Sequence, residues 1–176
     1  MDAVSRYFLA LQPDAPAREA LAAIALPPGA RRVHPQDLHL TVAFLGRLTL
    51  PTPEALLAAL AEALAGPVEV RLDALQYWPG PRIACAVGPV PQAETLALAL
   101  WARLPDLGYA APDRPLRPHV SLARGPGLAP IHTLLQPVIG WSSAQLCVMA
   151  SEPAAMAGTP RYRTLAVAEL AARLMR

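Results

Sequence analysis

The chain has 176 residues, 54% of them hydrophobic and 16% charged, with a formal net charge of +2. That is long enough for one packed domain, or two small joined lobes, and too apolar for a disordered chain. The weak net charge excludes a protein that coats duplex nucleic acid by bulk charge, so any nucleic-acid contact has to come from a local cluster.

No run of 18 uninterrupted apolar residues occurs, which excludes a membrane-spanning helix, and residues 1–6 lack the start of a secretory leader. Cys85 and Cys147 lie in short apolar runs with no C-x-x-C spacing, so both read as buried small hydrophobes in a reducing compartment, and a cytoplasmic location is expected. All 15 basic residues are Arg and none is Lys, so every cation is a planar fork suited to phosphate.

Residues 5–12 read as a strand ended by Pro13, followed by a helix over Ala17 to Leu26 that Pro27-Pro28-Gly29 closes. Leu38 to Leu45 reads as a strand stopped by Gly46. Thr52-Pro53-Glu54 supplies a hydroxyl cap, a first-turn proline and an acid for a helix with Leu56, Leu57, Leu60 and Leu64 on one stripe. Val68 to Tyr77 alternates as a strand, Pro79-Gly80-Pro81 turns, and Ile83 to Val87 is a buried strand. Pro91 opens a helix with Leu96, Leu100, Trp101 and Leu104 on one side, ending near Gly108. A proline-rich loop delivers the chain to a strand at His119–Arg124. Residues 130–137 read as a helical turn or short helix, Ser142 to Ser151 as a strand, and Arg163 to Ala171 as a strand or helix. The order predicts a single α+β domain over 1–176 with antiparallel sheets.

Within that order a short pattern recurs. Leu38-His39-Leu40-Thr41-Val42-Ala43 and Pro118-His119-Val120-Ser121-Leu122-Ala123 share His, apolar, hydroxyl, apolar, Ala. With four His and 12 Ser plus Thr in the chain, roughly 0.08 four-residue matches are expected by chance, so two copies on predicted strands carry information. Alternation places His39 with Thr41 on one face and Leu38, Leu40, Val42 and Phe44 towards a core; likewise His119 with Ser121, opposite Val120 and Leu122. His34 and His132 lack the pattern and read as ordinary loop or turn residues.

Two imidazoles beside two hydroxyls suit in-line phosphodiester hydrolysis. Such a reaction needs a base for water and an acid for the leaving oxygen, and one neutral and one charged imidazole can coexist near neutrality. Hydroxyls can donate to non-bridging oxygens, and Arg124, three residues after Ser121, can reach a phosphate held between the motifs.

The two motifs resemble those of the two-histidine (2H) phosphoesterase superfamily, in particular its bacterial RNA 2′,3′-cyclic phosphodiesterase branch, often called 2′-5′ RNA ligase. The likeness extends to Arg6-Tyr7-Phe8-Leu9-Ala10-Leu11, to Phe44-Leu45-Gly46, to Arg117-Pro118-His119-Val120-Ser121-Leu122-Ala123-Arg124 and to Arg161-Tyr162-Arg163-Thr164-Leu165. It implies a bilobal α+β fold, with two pseudo-symmetric antiparallel-sheet lobes flanking a central cleft and helices outside. It also implies metal-independent opening of RNA 2′,3′-cyclic phosphate ends to 2′-phosphates, with reversible 2′-5′ joining in some members. In that pattern His39 protonates the departing 3′ oxygen and His119 activates water, roles the near-symmetric motifs can exchange. Thr41, Ser121 and Arg124 bind phosphate, and Phe8 contacts the base. Ser121 stands where Thr is common, Ala43 where an Arg is often found, and Met149-Ala150 where a Tyr-Glu pair is usual, differences that bear on base recognition and RNA length preference rather than on acid, base or phosphate ligands.

Two other partners fit the same residues: a small cyclic nucleotide or ADP-ribose 1″,2″-cyclic phosphate as substrate, or RNA bound without catalysis. Only nine aromatics are present, with no stacking cluster of the kind that RNA-binding modules show. A zinc hydrolase lacks its H-E-x-x-H spacing and an ATP-dependent ligase its phosphate-cradling loop and Lys, so no metal or cofactor is expected. The site can be complete in one chain, so a monomer is expected, with no membrane partner.

Overall fold

The computed structural model describes residues 5–125, 132–152, 156 and 158–170. In chain order the elements are β1 (Tyr7–Leu11), α1 (Ala15–Ala23), β2 (Arg31–Arg32), β3 (Leu40–Gly46), α2 (Pro53–Ala59), β4 (Val68–Trp78), β5 (Ile83–Val87), α3 (Pro91–Trp101), β6 (His119–Arg124), β7 (His132–Ser143), β8 (Gln145–Ser151) and β9 (Tyr162–Glu169). Each α-helix opens on a first-turn proline, whose missing N–H costs nothing there. Asp14 caps α1 by accepting from the Ala17 N–H at 2.9 Å, and Thr52 caps α2 by accepting from the Ala55 N–H at 3.1 Å. The Arg32 guanidinium closes the other end of α1, donating to the Ala22 and Ile24 carbonyls at 3.1 and 2.6 Å.

All strand pairs are antiparallel, and the main path runs β7-β4-β5-β6-β3-β1-β8-β9, with β2 beside β6. The path divides into two halves of matching order. In one, β3 pairs with β1, β1 with β8 and β8 with β9; in the other, β6 pairs with β5, β5 with β4 and β4 with β7. Each motif strand is reached through a strand and a helix: β1-α1 leads to β3, and β5-α3 leads to β6. Strands β3 and β6 meet through one residue pair, Leu40 opposite Val120, and β2 adds two more beside β6, so the expected two sheets are one continuous sheet. Helix α3, from the second half, packs on β3 of the first, and α1 packs on β7, so the helices brace the joint from both sides. The chain also passes from β7 to β8 through Ala144 alone, which requires the sheet to bend until its ends approach.

Leu9, Leu11, Leu40 and Val42 of the first half share one core with Leu72, Val120, Leu122 and Ile139 of the second, under Leu21, Leu56, Leu60, Leu96 and Leu100 of the helices. On the opposite face Phe8, Ala10, Cys147 and Met149 form a small cluster in the first half, and Ala84 with Ala123 forms a separate small cluster beside Leu26, Ala30 and Tyr77. Both cysteines are buried and free, and burial raises their thiols to about 12 (Cys85) and about 11 (Cys147), so they behave as inert apolar groups.

Three expectations change. Residues 132–137 belong to β7 rather than to a helical turn (130 and 131 lie outside the described residues). The ladder with β4 jumps from Leu72↔Ile139 to Ala74↔Leu134, so Pro137 sits in a bulge on an edge strand where no N–H is needed. The proline and adjacent leucines hid the strand. Phe44 does not reach the core. It is 71% exposed, because a register shift opposite Leu9 and Ala10 places an extra residue, Val42, on β3 and reverses the alternation beyond it. Residues 142–151 form two strands, β7 to Ser143 and β8 from Gln145. The C-terminal stretch is strand over Tyr162–Glu169, with 171 outside the described residues.

A buried carboxylate ties the two ends of the first half together. Asp37, 2% exposed in the 3-10 turn before β3, accepts from the backbone N–H of Arg161 at 2.8 Å and of Tyr162 at 3.0 Å. Asp37→Ala strands both donors and is expected to cost roughly 1–3 kcal/mol. Thermal melts should then show a loss of about 2–4 °C for each kcal/mol, and an unchanged midpoint would remove Asp37 from the framework.

Candidate active site

At the joint the register does the assembly. Because Leu40 and Val120 face each other and point into the core, their neighbours His39, Thr41, His119 and Ser121 turn to the opposite face of adjacent strands. The motif residues are brought together by one backbone pairing, although 80 residues of chain separate them.

Each ring is fixed in the same way. His39 Nδ1 lies 2.6 Å from the Asp37 carbonyl, and His119 Nδ1 lies 2.8 Å from the Arg117 carbonyl. A carbonyl only accepts, so Nδ1 carries the proton in both rings and Nε2 is left as the free lone pair for proton transfer.

The surroundings of the two rings differ. His39 stacks on Phe8 at 4.8 Å between ring centres and meets the edge of Tyr162 at 5.2 Å. Tyr162 also sits edge-on to Phe8 at 5.2 Å, closing a three-ring cluster around the imidazole. Phe8, expected to contact a base, is only 3% exposed and is covered by His39, Tyr162 and Met149; it is the floor of the imidazole rather than a surface for a ligand. His119 packs on Trp78, with ring centres 4.6 Å apart, and the Arg117 guanidinium lies over the same indole at 4.3 Å. The second imidazole therefore has one aromatic wall where the first has two.

Burial holds His39 far below its ordinary value, at about 4, against the smaller opposing pull of its hydrogen bond to Asp37. Burial also lowers His119, again opposed by its backbone hydrogen bond. The positive charge of Arg124, the last residue of β6, lowers both imidazoles. Neither Arg117 nor Arg124 has an ion pair among the described residues. Thr41 is buried at 6% exposure and Ser121 is half-buried across from Cys85. The site thus offers two free imidazole nitrogens, two hydroxyls and an uncommitted guanidinium, a set whose donors suit an anion with tetrahedral oxygens.

His34 is a turn residue, its Nδ1 accepting from the Gln36 N–H at 3.2 Å, and His132 is exposed on β7. No group of three His, Cys, Asp or Glu positioned to hold a metal ion occurs among the described residues, and no helix among them is long and apolar enough to cross a membrane. Reasoning from sequence missed Trp78 and Asp37 as supports and named Tyr162 and Arg117 only as parts of a likeness. The signal available was positional: Asp37 and Arg117 each stand two residues before a motif histidine.

Paired imidazoles at the centre of a pseudo-symmetric antiparallel sheet define the chain as a protein of the 2H phosphoesterase class. The 2′-5′ RNA ligase superfamily pattern matches residues 12–152, and the chain belongs to that family. No curated protein sequence matches it. Among solved structures it is similar to a protein described as a phosphoesterase, with 25% identity, a TM-score of 0.80 and coverage of 95% of this chain and 98% of that one. Escherichia coli LigT in complex with 3′-AMP is similar at 26% identity and a TM-score of 0.79, over 94% and 97% of the two chains. The protein TT0787 of Thermus thermophilus is similar at 28% identity and a TM-score of 0.73, over 94% and 97%.

The depressed His39 value has a sign. The unfolded ring takes up a proton near pH 6.5 and the folded one near pH 4, so the unfolded state binds more protons between them and stability falls as pH drops through that window. His39→Asn should lose less stability than wild type between pH 7 and pH 4.5, each compared with its own value at pH 7 by thermal melts. Equal losses would mean that the ring titrates freely in the fold.

Proposed function

We propose that the protein hydrolyses the 2′,3′-cyclic phosphate end of RNA to a 2′-phosphomonoester. The observation that carries this reading is the pair of imidazoles, each anchored at Nδ1 with Nε2 left free, that one strand pairing sets beside two hydroxyls and Arg124. Water attacks phosphorus from the side of His119, which takes its proton; the P–O3′ bond breaks, and His39 delivers a proton to the departing 3′ oxygen. Thr41 and Ser121 donate to the non-bridging oxygens, and Arg124 offsets their developing charge. The similar LigT structure that holds 3′-AMP is compatible with a nucleotide at such a site. The reverse direction, attack of a ribose hydroxyl in place of water, would join RNA ends through a 2′-5′ linkage with the same groups.

Burial makes the His39 imidazolium the stronger acid of the two, which suits proton delivery to an alkoxide. It also leaves both rings mainly neutral in the free protein at pH 7, since both titrate below 6.5. The form with one proton on the pair is then most populated on the acid side of neutrality, and kcat/KM reports the free protein. The expected kcat/KM profile peaks between about pH 4 and 6.5 and declines above it; an optimum at or beyond about pH 8 would contradict the account.

The direct assay is an RNA oligonucleotide ending in 2′,3′-cyclic phosphate, with EDTA present. Wild type should release a 2′-phosphate, and His39→Ala and His119→Ala should each lose at least about two orders of magnitude. Folded wild type without turnover, or variants with full activity, would overturn the reading.

A further inference from the structure

Beside Thr41 and His119 a groove of about 1060 Å³ opens, at the top of the ~300–1,000 Å³ usual for small-ligand sites. A reacting phosphate and one ribose do not fill that space. The far wall is helix α3 and the segment 110–117. On α3, Ala93, Leu96, Ala97 and Leu100 are buried in the fold, but Leu98 is 71% exposed and Trp101, three residues on and on the same side, is half-buried; both line the groove. Phe44, turned outward by the β3 bulge, lines it nearer to Thr41. Large apolar side chains left open along a groove that ends at Thr41 and His119 are not explained by packing of the core.

The charge of the groove selects its ligand. Arg114 and Arg117 are balanced there by Glu94 and Asp113, so the walls favour a neutral planar ring over a second phosphate. A cyclic phosphate is a chain end, so a longer substrate can extend only in the 5′ direction from the reacting ribose. Resting on the proposed function, we propose that the α3 end of the groove, Leu98 and Trp101, is a subsite for the base of the nucleotide preceding the reacting one. Stacking and apolar contact there would discriminate by substrate length with little regard to sequence. The substrate class is then RNA ends of two or more nucleotides rather than nucleoside cyclic phosphates.

The experiment compares kcat/KM for a dinucleotide ending in 2′,3′-cyclic phosphate with that for the matching nucleoside 2′,3′-cyclic phosphate. Wild type should favour the dinucleotide by about tenfold or more, a typical gain for one stacked base. Leu98→Glu should bring that ratio close to one, and Leu98→Ala should fall between; the position is open enough for both variants to fold. A wild-type ratio near one, or a ratio that Leu98→Glu leaves intact, overturns the subsite. If neither compound is turned over, the hydrolytic reading fails by itself, and calorimetry with the dinucleotide and mononucleoside 2′-phosphates decides the subsite. Tighter dinucleotide binding that Leu98→Glu abolishes supports it; equal affinities overturn it.

Discussion

The candidate site depends on one backbone pairing. Leu40 opposite Val120 is the sole register pair between β3 and β6, yet it fixes which face each motif residue takes. A slip of one residue would send the imidazoles into the helix-covered core and Leu40 and Val120 into the cleft. That slip is opposed from outside the joint. Leu9, Leu11, Leu72 and Ile139 from both halves share the core with these two residues. Helix α3 lies across to the other half, on β3, and α1 crosses the opposite way, to β7. The joint is short because the rest of the fold holds its register, and a short joint leaves the strands free to part and form a groove beside it.

The two halves match in topology and differ in chemistry. His39 is enclosed by Phe8 and Tyr162, and Asp37 holds that enclosure by gripping the start of β9. His119 has Trp78 on one side and open groove on another. Desolvation therefore acts harder on the first imidazole, and two rings of identical intrinsic basicity acquire different acidities even though the nearby Asp37 carboxylate pulls His39 the other way. In the proposed reaction the ring with the more acidic imidazolium is the donor, and the groove that admits the rest of a substrate opens beside the other ring, His119.

Much of this was readable from the residues. The paired His-x-hydroxyl motifs, the strand at His119–Arg124, the buried strand at Ile83 to Val87 and the proline-opened helices follow from alternation and capping, which are local. What was not readable depends on neighbours distant in sequence. Phe44 obeys the alternation of its own strand until the register of β1 inserts a bulge, and no feature of Leu40–Gly46 announces that. Pro137 argues against a strand until β4 turns out to tolerate a loop opposite it. Phe8 lies on the face expected for a ligand contact, but His39 and Tyr162 cover it. Nothing in the residues around Asp37 marks it; its role exists only because β9 returns beside the turn.

The central claim is that both imidazoles are held as Nδ1–H tautomers, with their Nε2 atoms left free at one binding site. Nitrogen-15 NMR of the histidine rings, at pH 7 and during titration with a nucleoside 2′-monophosphate, tests it most directly. The account predicts a protonated Nδ1 and a bare Nε2 for both His39 and His119 in the free protein, and Nε2 resonances of both that move together as the ligand binds. An Nε2–H tautomer at either ring, or a ligand that perturbs only one of them, would contradict it.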